Sequence, residues 1–197
     1  MSLRENLINA LISDPVRWVN FEHRNRLISP ICFYILGSHV SDGKVSTKID
    51  RSIQGRTAFY DPSSNTIIAS DPTFGSTYWD EKALLIHESA HAILDILYGG
   101  MNIQGEKDPI QVVDDEIIGY LAQAFYLVSA NADGVSKSTP ESEAIKVAKI
   151  KLPNPRPPWT GTLTFRFTAQ ELQPLRNAII SSPLYRNNAN AISTHDG

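Results

Sequence analysis

Ala83-Leu84-Leu85-Ile86-His87-Glu88-Ser89-Ala90-His91-Ala92-Ile93-Leu94-Asp95-Ile96-Leu97-Tyr98 is an apolar run into which two histidines and a glutamate are set as HExxH. Nothing in it breaks a helix, and residues four apart on a helix lie one above the other, so His87 and His91 can turn two imidazole nitrogens toward one metal ion. Zinc suits such a pair. Glu88, one step round from His87, lies beside the open coordination position, where a carboxylate can take a proton from a metal-bound water. The spacing predicts a helix from Ala83 to Tyr98, opened by a Thr77/Asp80 capping box and stopped by Gly99-Gly100 in a left-handed conformation. The competing reading is two surface histidines that happen to be four apart. That reading leaves unexplained why both share an apolar run with a glutamate.

A hydrolytic zinc site needs three protein ligands and one exchangeable water. In the pattern HExxHxxGxxH the third ligand is a histidine at position 97 preceded by glycine at 94, and this chain has Leu97 and Leu94, so that class is excluded. Asp95 lies on the same face as His91, but an ion shared by the two histidines sits about a full turn, roughly 5–6 Å, short of its reach. Asp95 is therefore expected to support the site from behind or to lie on the surface. A second helix is predicted after Asp108-Pro109 and Gln111, which look like an N-cap, an N1 proline and its N3 partner, and it continues through Val128. Glu116 falls on its apolar side among Val113, Ile117 and Tyr120, where a carboxylate is costly unless paired or metal-bound. Glu116 is thus the candidate third ligand. Asp114 or Asp115 can orient a ligating histidine by accepting its second ring N–H, although acids are also favoured in a first helical turn for their charge alone.

His87-Glu88-Ser89-Ala90-His91, with Glu116, Tyr120 and Gln123 along a second helix, resembles the gluzincin-type zinc metallopeptidases over roughly Arg56 to Ala130. The resemblance implies a zincin-like α+β fold, with a small mixed sheet and hairpin, an active-site helix and a second ligand-bearing helix. It also implies one zinc ion on His87, His91 and Glu116 with Glu88 as general base, acting on a peptide or protein substrate. Gly119 and Tyr120 stand where many gluzincins carry an aspartate that bonds a zinc histidine, and no downstream motif marks the group that stabilises the transition state. Tyr60, Tyr78, Tyr98, Tyr120, Tyr126, Tyr185 and His195 are all candidates for that role, each with packing as the alternative. Peptide-bond hydrolysis is the expected activity. The alternative is a catalytically silent zincin-like module that binds peptides or partners.

Upstream, Arg56 to Tyr60 and Thr66 to Ser70 read as strands joined by a turn over 61–65, and by analogy with zincin-like folds the 66–70 strand is a candidate rail for an extended substrate. Leu3, Leu7, Ile8 and Leu11 keep helical spacing in the segment Ser2 to Ile12. Downstream, 131–138 reads as a loop, Thr139-Pro140-Glu141 opens a helix to about Ile150, the prolines of 151–159 form a connector rather than a PxxP ligand, 162–167 alternates as a strand, and Thr168 with Glu171 caps a last helix. The polar tail from Asn187 to Gly197 is expected to fray. Residues 1–197 are read as a single domain with its core at about 56–130 and a C-terminal subdomain or extension at 131–197.

Hydrophobic content of 42% with 20% charged residues is ordinary for a globular chain, and a net charge of −3 offers no footprint for nucleic acid or an anionic membrane. Cys32 is the single cysteine, so no intrachain disulfide forms, and its place in the apolar run Ile31 to Leu36 assigns it to packing. His23 and His39 have no partners at ligand spacing. No signal-peptide core or membrane-spanning run is present, which reads as a cytoplasmic protein while remaining compatible with export by a route that needs no cleaved signal.

Overall fold

The computed structural model describes residues 1–135, 138–152 and 163–193. About 53% of it is helix, joined to two small mixed sheets in an α+β arrangement. The helices are α1 (Leu3–Leu11), α2 (Pro30–Ser41), α3 (Trp79–Ile93), α4 (Val112–Ser129), α5 (Thr139–Lys151) and α6 (Ala169–Ser181). The strands are β1 (Phe21–His23), β2 (Arg26–Ile28), β3 (Ser46–Ile49), β4 (Ala58–Asp61), β5 (Thr66–Ala69) and β6 (Phe165–Arg166). Among the described residues no helix is long and apolar enough to cross a membrane.

α4 is the hub. It packs along α3 on one side and α5 and α6 on another, and between its first and last turns nearly every residue is buried. A helix apolar all round has to be enclosed, and here the enclosure continues through the β2-β1-β6 sheet, whose Phe21 and Phe165 stack on Phe125 at 5.7 and 5.2 Å. One hydrophobic cluster runs from Leu3 to Ala189 and takes in Cys32, buried in α2 as packing requires.

The second sheet has the order β3-β5-β4, with β5 parallel to β3 and antiparallel to β4. β5 is paired on both sides and all four of its residues are buried, so it has no free edge and the substrate rail assigned to 66–70 does not lie there. The edge that faces α3 is β4, from the other arm of the predicted hairpin.

Two helix starts, those of α3 and α4, depart from their sequence signals, while the glycine stop after Tyr98 falls where the sequence places it. α3 begins at Trp79 after Tyr78, without a side-chain cap, and Glu81 in its first turn accepts the Gly75 N–H at 2.9 Å and pairs with Arg56. Beyond Ile93 the chain widens into a single π-helical turn, Leu94–Tyr98, closed by Gly99 at φ +50°, a conformation glycine adopts without strain. α4 starts at Val112 rather than near Pro109, with Gln111 as N-cap but no side-chain cap. The acceptors for its first N–H groups come from the C-terminal segment: Val112 N–H donates to Ala191 O and Val113 N–H to Ala189 O, both at 2.9 Å. The segment expected to fray is thus docked as far as Ser193. α1, α5 and the capped α6 form where the spacing and capping residues place them, and β6 shrinks to two residues of the predicted strand. Most of the proline run, and His195, lie outside the described residues.

Candidate metal centre

α3 and α4 lie close enough for side chains from one to be clasped by the other, and the contact is made at Gly119. A Cβ placed there would stand 2.6 Å from His87 Nε2, so a residue without a side chain lets the imidazole lie against the α4 backbone. The His87 and His91 rings, one turn apart on α3, have centroids 4.9 Å apart. Glu116 reaches both: its Oε2 is 3.4 Å from His87 Nε2 and its Oε1 3.8 Å from His91 Nε2. Ligand-capable atoms of the three residues all fall within 4.8 Å of one another.

Each imidazole is held from behind through its other nitrogen. His91 Nδ1 bonds Asp115 Oδ1 at 2.6 Å, and Asp115 Oδ2 accepts the Ser193 hydroxyl at 2.7 Å. His87 Nδ1 lies 3.2 Å from Gln123 Oε1, and Gln123 Nε2 donates to Glu141 Oε1 at 2.9 Å. With Nδ1 engaged on both rings, Nε2 is the nitrogen turned toward Glu116. The two sequence-level candidates for the supporting acid separate here, since Asp114 instead bonds His23, Arg24 and Arg176.

The donor set passes a test for a cation on its own terms. Glu116 Oε2 is buried without a hydrogen-bond partner among the described residues. A buried, unsatisfied carboxylate oxygen facing two imidazole nitrogens costs free energy unless a positive group sits between them, and two nitrogens and one oxygen in a partly open arrangement are a ligand set that zinc takes. The carboxylates and imidazoles of the group also shift one another. Burial pushes the Glu116 carboxyl up, but the facing imidazoles outweigh it and hold it below its usual value. Burial lowers His91, yet Asp115 and the neighbouring carboxylates outweigh it and raise the ring to about 10.

Glu88 sits beside this group. Its Oε2 accepts the Tyr60 backbone N–H of β4 at 2.9 Å, and burial raises its carboxyl above the usual range even though both histidines pull it down. Tyr120 packs edge-on to His87 with centroids 4.7 Å apart, and burial pushes its hydroxyl up to about 12. Tyr185, from the segment after α6, lines the same cleft, and its hydroxyl is raised as well, first by burial and then by the Glu116 charge. These groups open into a cleft of about 750 Å³ walled by β4, by α3 and α4, and by the chain from Leu184 to Ser193.

The other candidates lie elsewhere. Tyr60 donates its hydroxyl to Asp95 Oδ2 at 2.5 Å, so Asp95 is a buried support of β4 and not a ligand. Tyr98 bonds the backbone of Leu27, Tyr126 bonds Ser13, and Tyr78 is exposed beneath Arg56. Gly119 as the contact point, Glu141 and Ser193 were missed from the sequence. The first had a signal, because Glu116, Gly119, Tyr120 and Gln123 follow the i, i+3, i+4, i+7 spacing of one helix face. Ser193 and Glu141 had none, since each arrives from a separate segment. Compared with known family models, curated proteins and solved structures, the chain matches none, so the case for the site rests on its own geometry.

Proposed function

We propose that this chain is a zinc-dependent hydrolase of peptide bonds, with a zincin-like site of the gluzincin type: His87, His91 and Glu116 hold the ion and Glu88 is the general base. The observation that carries the proposal is the convergence of three ligand atoms around an unsatisfied buried carboxylate oxygen, with a second, proton-ready carboxylate alongside. Zinc held there supplies a Lewis acid that brings the pKa of a bound water toward about 7 and shares the charge that develops on the carbonyl oxygen.

The chain's own residues do the rest. Tyr60 N–H fixes one oxygen of Glu88 and leaves the other to accept a proton and hand it to the departing amine. A raised carboxyl pKa strengthens Glu88 as the acceptor in the first of these steps. Tyr120 and Tyr185, protonated at neutral pH, line the cleft as hydrogen-bond donors for the oxyanion. Thr57, Ala58 and Phe59 also line it, so the outer edge of β4 can offer backbone groups to an extended peptide with little regard for its side chains.

Metal analysis and a broad peptide library test the proposal together. The native chain should carry one tightly bound zinc and cleave; His87→Ala should lose the metal; Glu88→Gln should keep it and lose cleavage by a factor on the order of 10²–10⁴ or more. Equal cleavage by native and Glu88→Gln chains would sink the mechanism. Zinc without cleavage in either would leave a silent peptide-binding module.

A further inference from the structure

We propose that Glu141 is a positioning residue: its carboxylate orients the side-chain amide of Gln123, which holds His87 in the tautomer whose Nε2 is free to bind a cation. The inference rests on the zinc site above and extends it by one residue.

A neutral imidazole carries one proton, and the nitrogen that binds a metal must be the other one. His87 Nε2 faces Glu116, so the proton belongs on Nδ1, which points at Gln123 Oε1. His91 meets the same requirement through Asp115, whose ionised carboxylate accepts and cannot donate. Gln123 carries no such guarantee. Turned over by 180°, its amide would present the NH2 group to Nδ1 and stabilise the opposite tautomer, with an N–H on Nε2 directed at Glu116 and no lone pair for an ion.

Glu141 removes the ambiguity. It is buried in the first turn of α5, with its N–H capped by Ser138 Oγ at 3.3 Å, and its Oε1 accepts from Gln123 Nε2 at 2.9 Å. A carboxylate accepts only, so reversing the amide would set a carbonyl oxygen against a carboxylate oxygen inside the protein. The charge on α5 thus dictates the amide orientation on α4 and, through it, the position of a proton on α3. Supporting groups of this kind are worth about 10–100-fold in metal affinity.

Two substitutions and two readouts separate this role from mere packing. In Glu141→Gln the pair becomes amide against amide and either orientation is allowed. In the double variant Gln123→Glu with Glu141→Gln an acceptor-only group again faces His87 Nδ1 and the new amide donates to it. Zinc affinity by chelator competition should fall about tenfold or more in the single variant and largely recover in the double one. In the metal-free chain, nitrogen-15 NMR of the histidines at a pH where the ring is neutral should place the His87 proton on Nδ1 in the native protein and partly on Nε2 in Glu141→Gln. Native-like zinc affinity in the single variant, no recovery in the double, or a native His87 proton on Nε2 would each overturn the proposal. Failure of the native chain to bind zinc would be a different result, one that removes the site itself.

Discussion

At Gly119 the whole site depends on an absent methyl group. A Cβ there would meet three atoms of the His87 ring at 2.6 to 2.9 Å, closer than such contacts occur, and the ring is already fixed on its far side by Gln123. Gly119→Ala therefore has to push the imidazole away from Glu116. Alanine is the better helix former by about 1 kcal/mol, so stability of the metal-free chain should change little while zinc affinity drops by about 10–100-fold. Chelator titration alongside thermal unfolding checks this, and native affinity in Gly119→Ala would mean that the α3–α4 contact is looser than its distances imply. That His87, His91 and Glu116 come together is readable in the sequence, because HExxH and an acid on an apolar helical face are local patterns. The partner of His91 was not, because Asp114 and Asp115 are adjacent, point about 100° apart on a helix, and differ only in which way α4 is rolled.

β4 and β5 show what a pattern says when it is read for burial. Thr66-Ile67-Ile68-Ala69 is apolar without alternation and is buried throughout, as a strand paired on both sides should be; Ala58-Phe59-Tyr60-Asp61 alternates between buried and more exposed and sits at the edge. The hairpin is legible in the sequence, and composition marks β5 as its enclosed arm and β4 as its edge, whereas the analogy with zincin-like folds places the rail on β5. The predicted cap at Thr77/Asp80 does not form because α3 starts one residue too late for it, at Trp79 after Tyr78. The first turn of α4 carries a tertiary junction: Asp114 draws in His23 from the end of β1, Arg24 from the β1–β2 turn and Arg176 from α6. Burial raises the Asp114 carboxyl, but the His23 and Arg24 partners outweigh it and hold it at about 2. A depressed carboxyl adds stability above its unfolded value of about 3.9 and loses it as pH falls through the folded value. Asp114→Asn should accordingly unfold more easily than the native chain at neutral pH, by about 1–3 kcal/mol, with the gap closing between about pH 4 and pH 2. Urea titrations across that range would decide it, and a gap independent of pH would show that the charge contributes nothing.

The chain closes on itself through its last described segment. Ala189 and Ala191 accept the first N–H groups of α4, Ser193 N–H donates to Ile110 O at 2.8 Å, and the Ser193 hydroxyl holds Asp115. The polar composition that predicts fraying says little about this docking, because most of its bonds are made by the backbone, Ala189 joins the hydrophobic cluster, and only the Ser193 hydroxyl contributes a polar side chain. A helix start that lacks its own side-chain cap needs such acceptors, and the helix in question bears both Glu116 and the support of His91. Truncation after Arg186 removes two acceptors for α4 N–H groups at about 1 kcal/mol each, the Ser193 bond and the buried Ala189, against the chain entropy it restores. A net loss of about 2 kcal/mol would lower the melting temperature by roughly 4–8 °C in a chain of this size. Zinc affinity should fall with it, because Asp115 loses its anchor, and Ser193→Ala should reproduce part of the affinity loss with little of the thermal one. The two measurements separate capping from support: a truncated chain that melts early but binds zinc normally would confine the tail to α4, and one that melts and binds like the native chain would show that the docked segment holds neither.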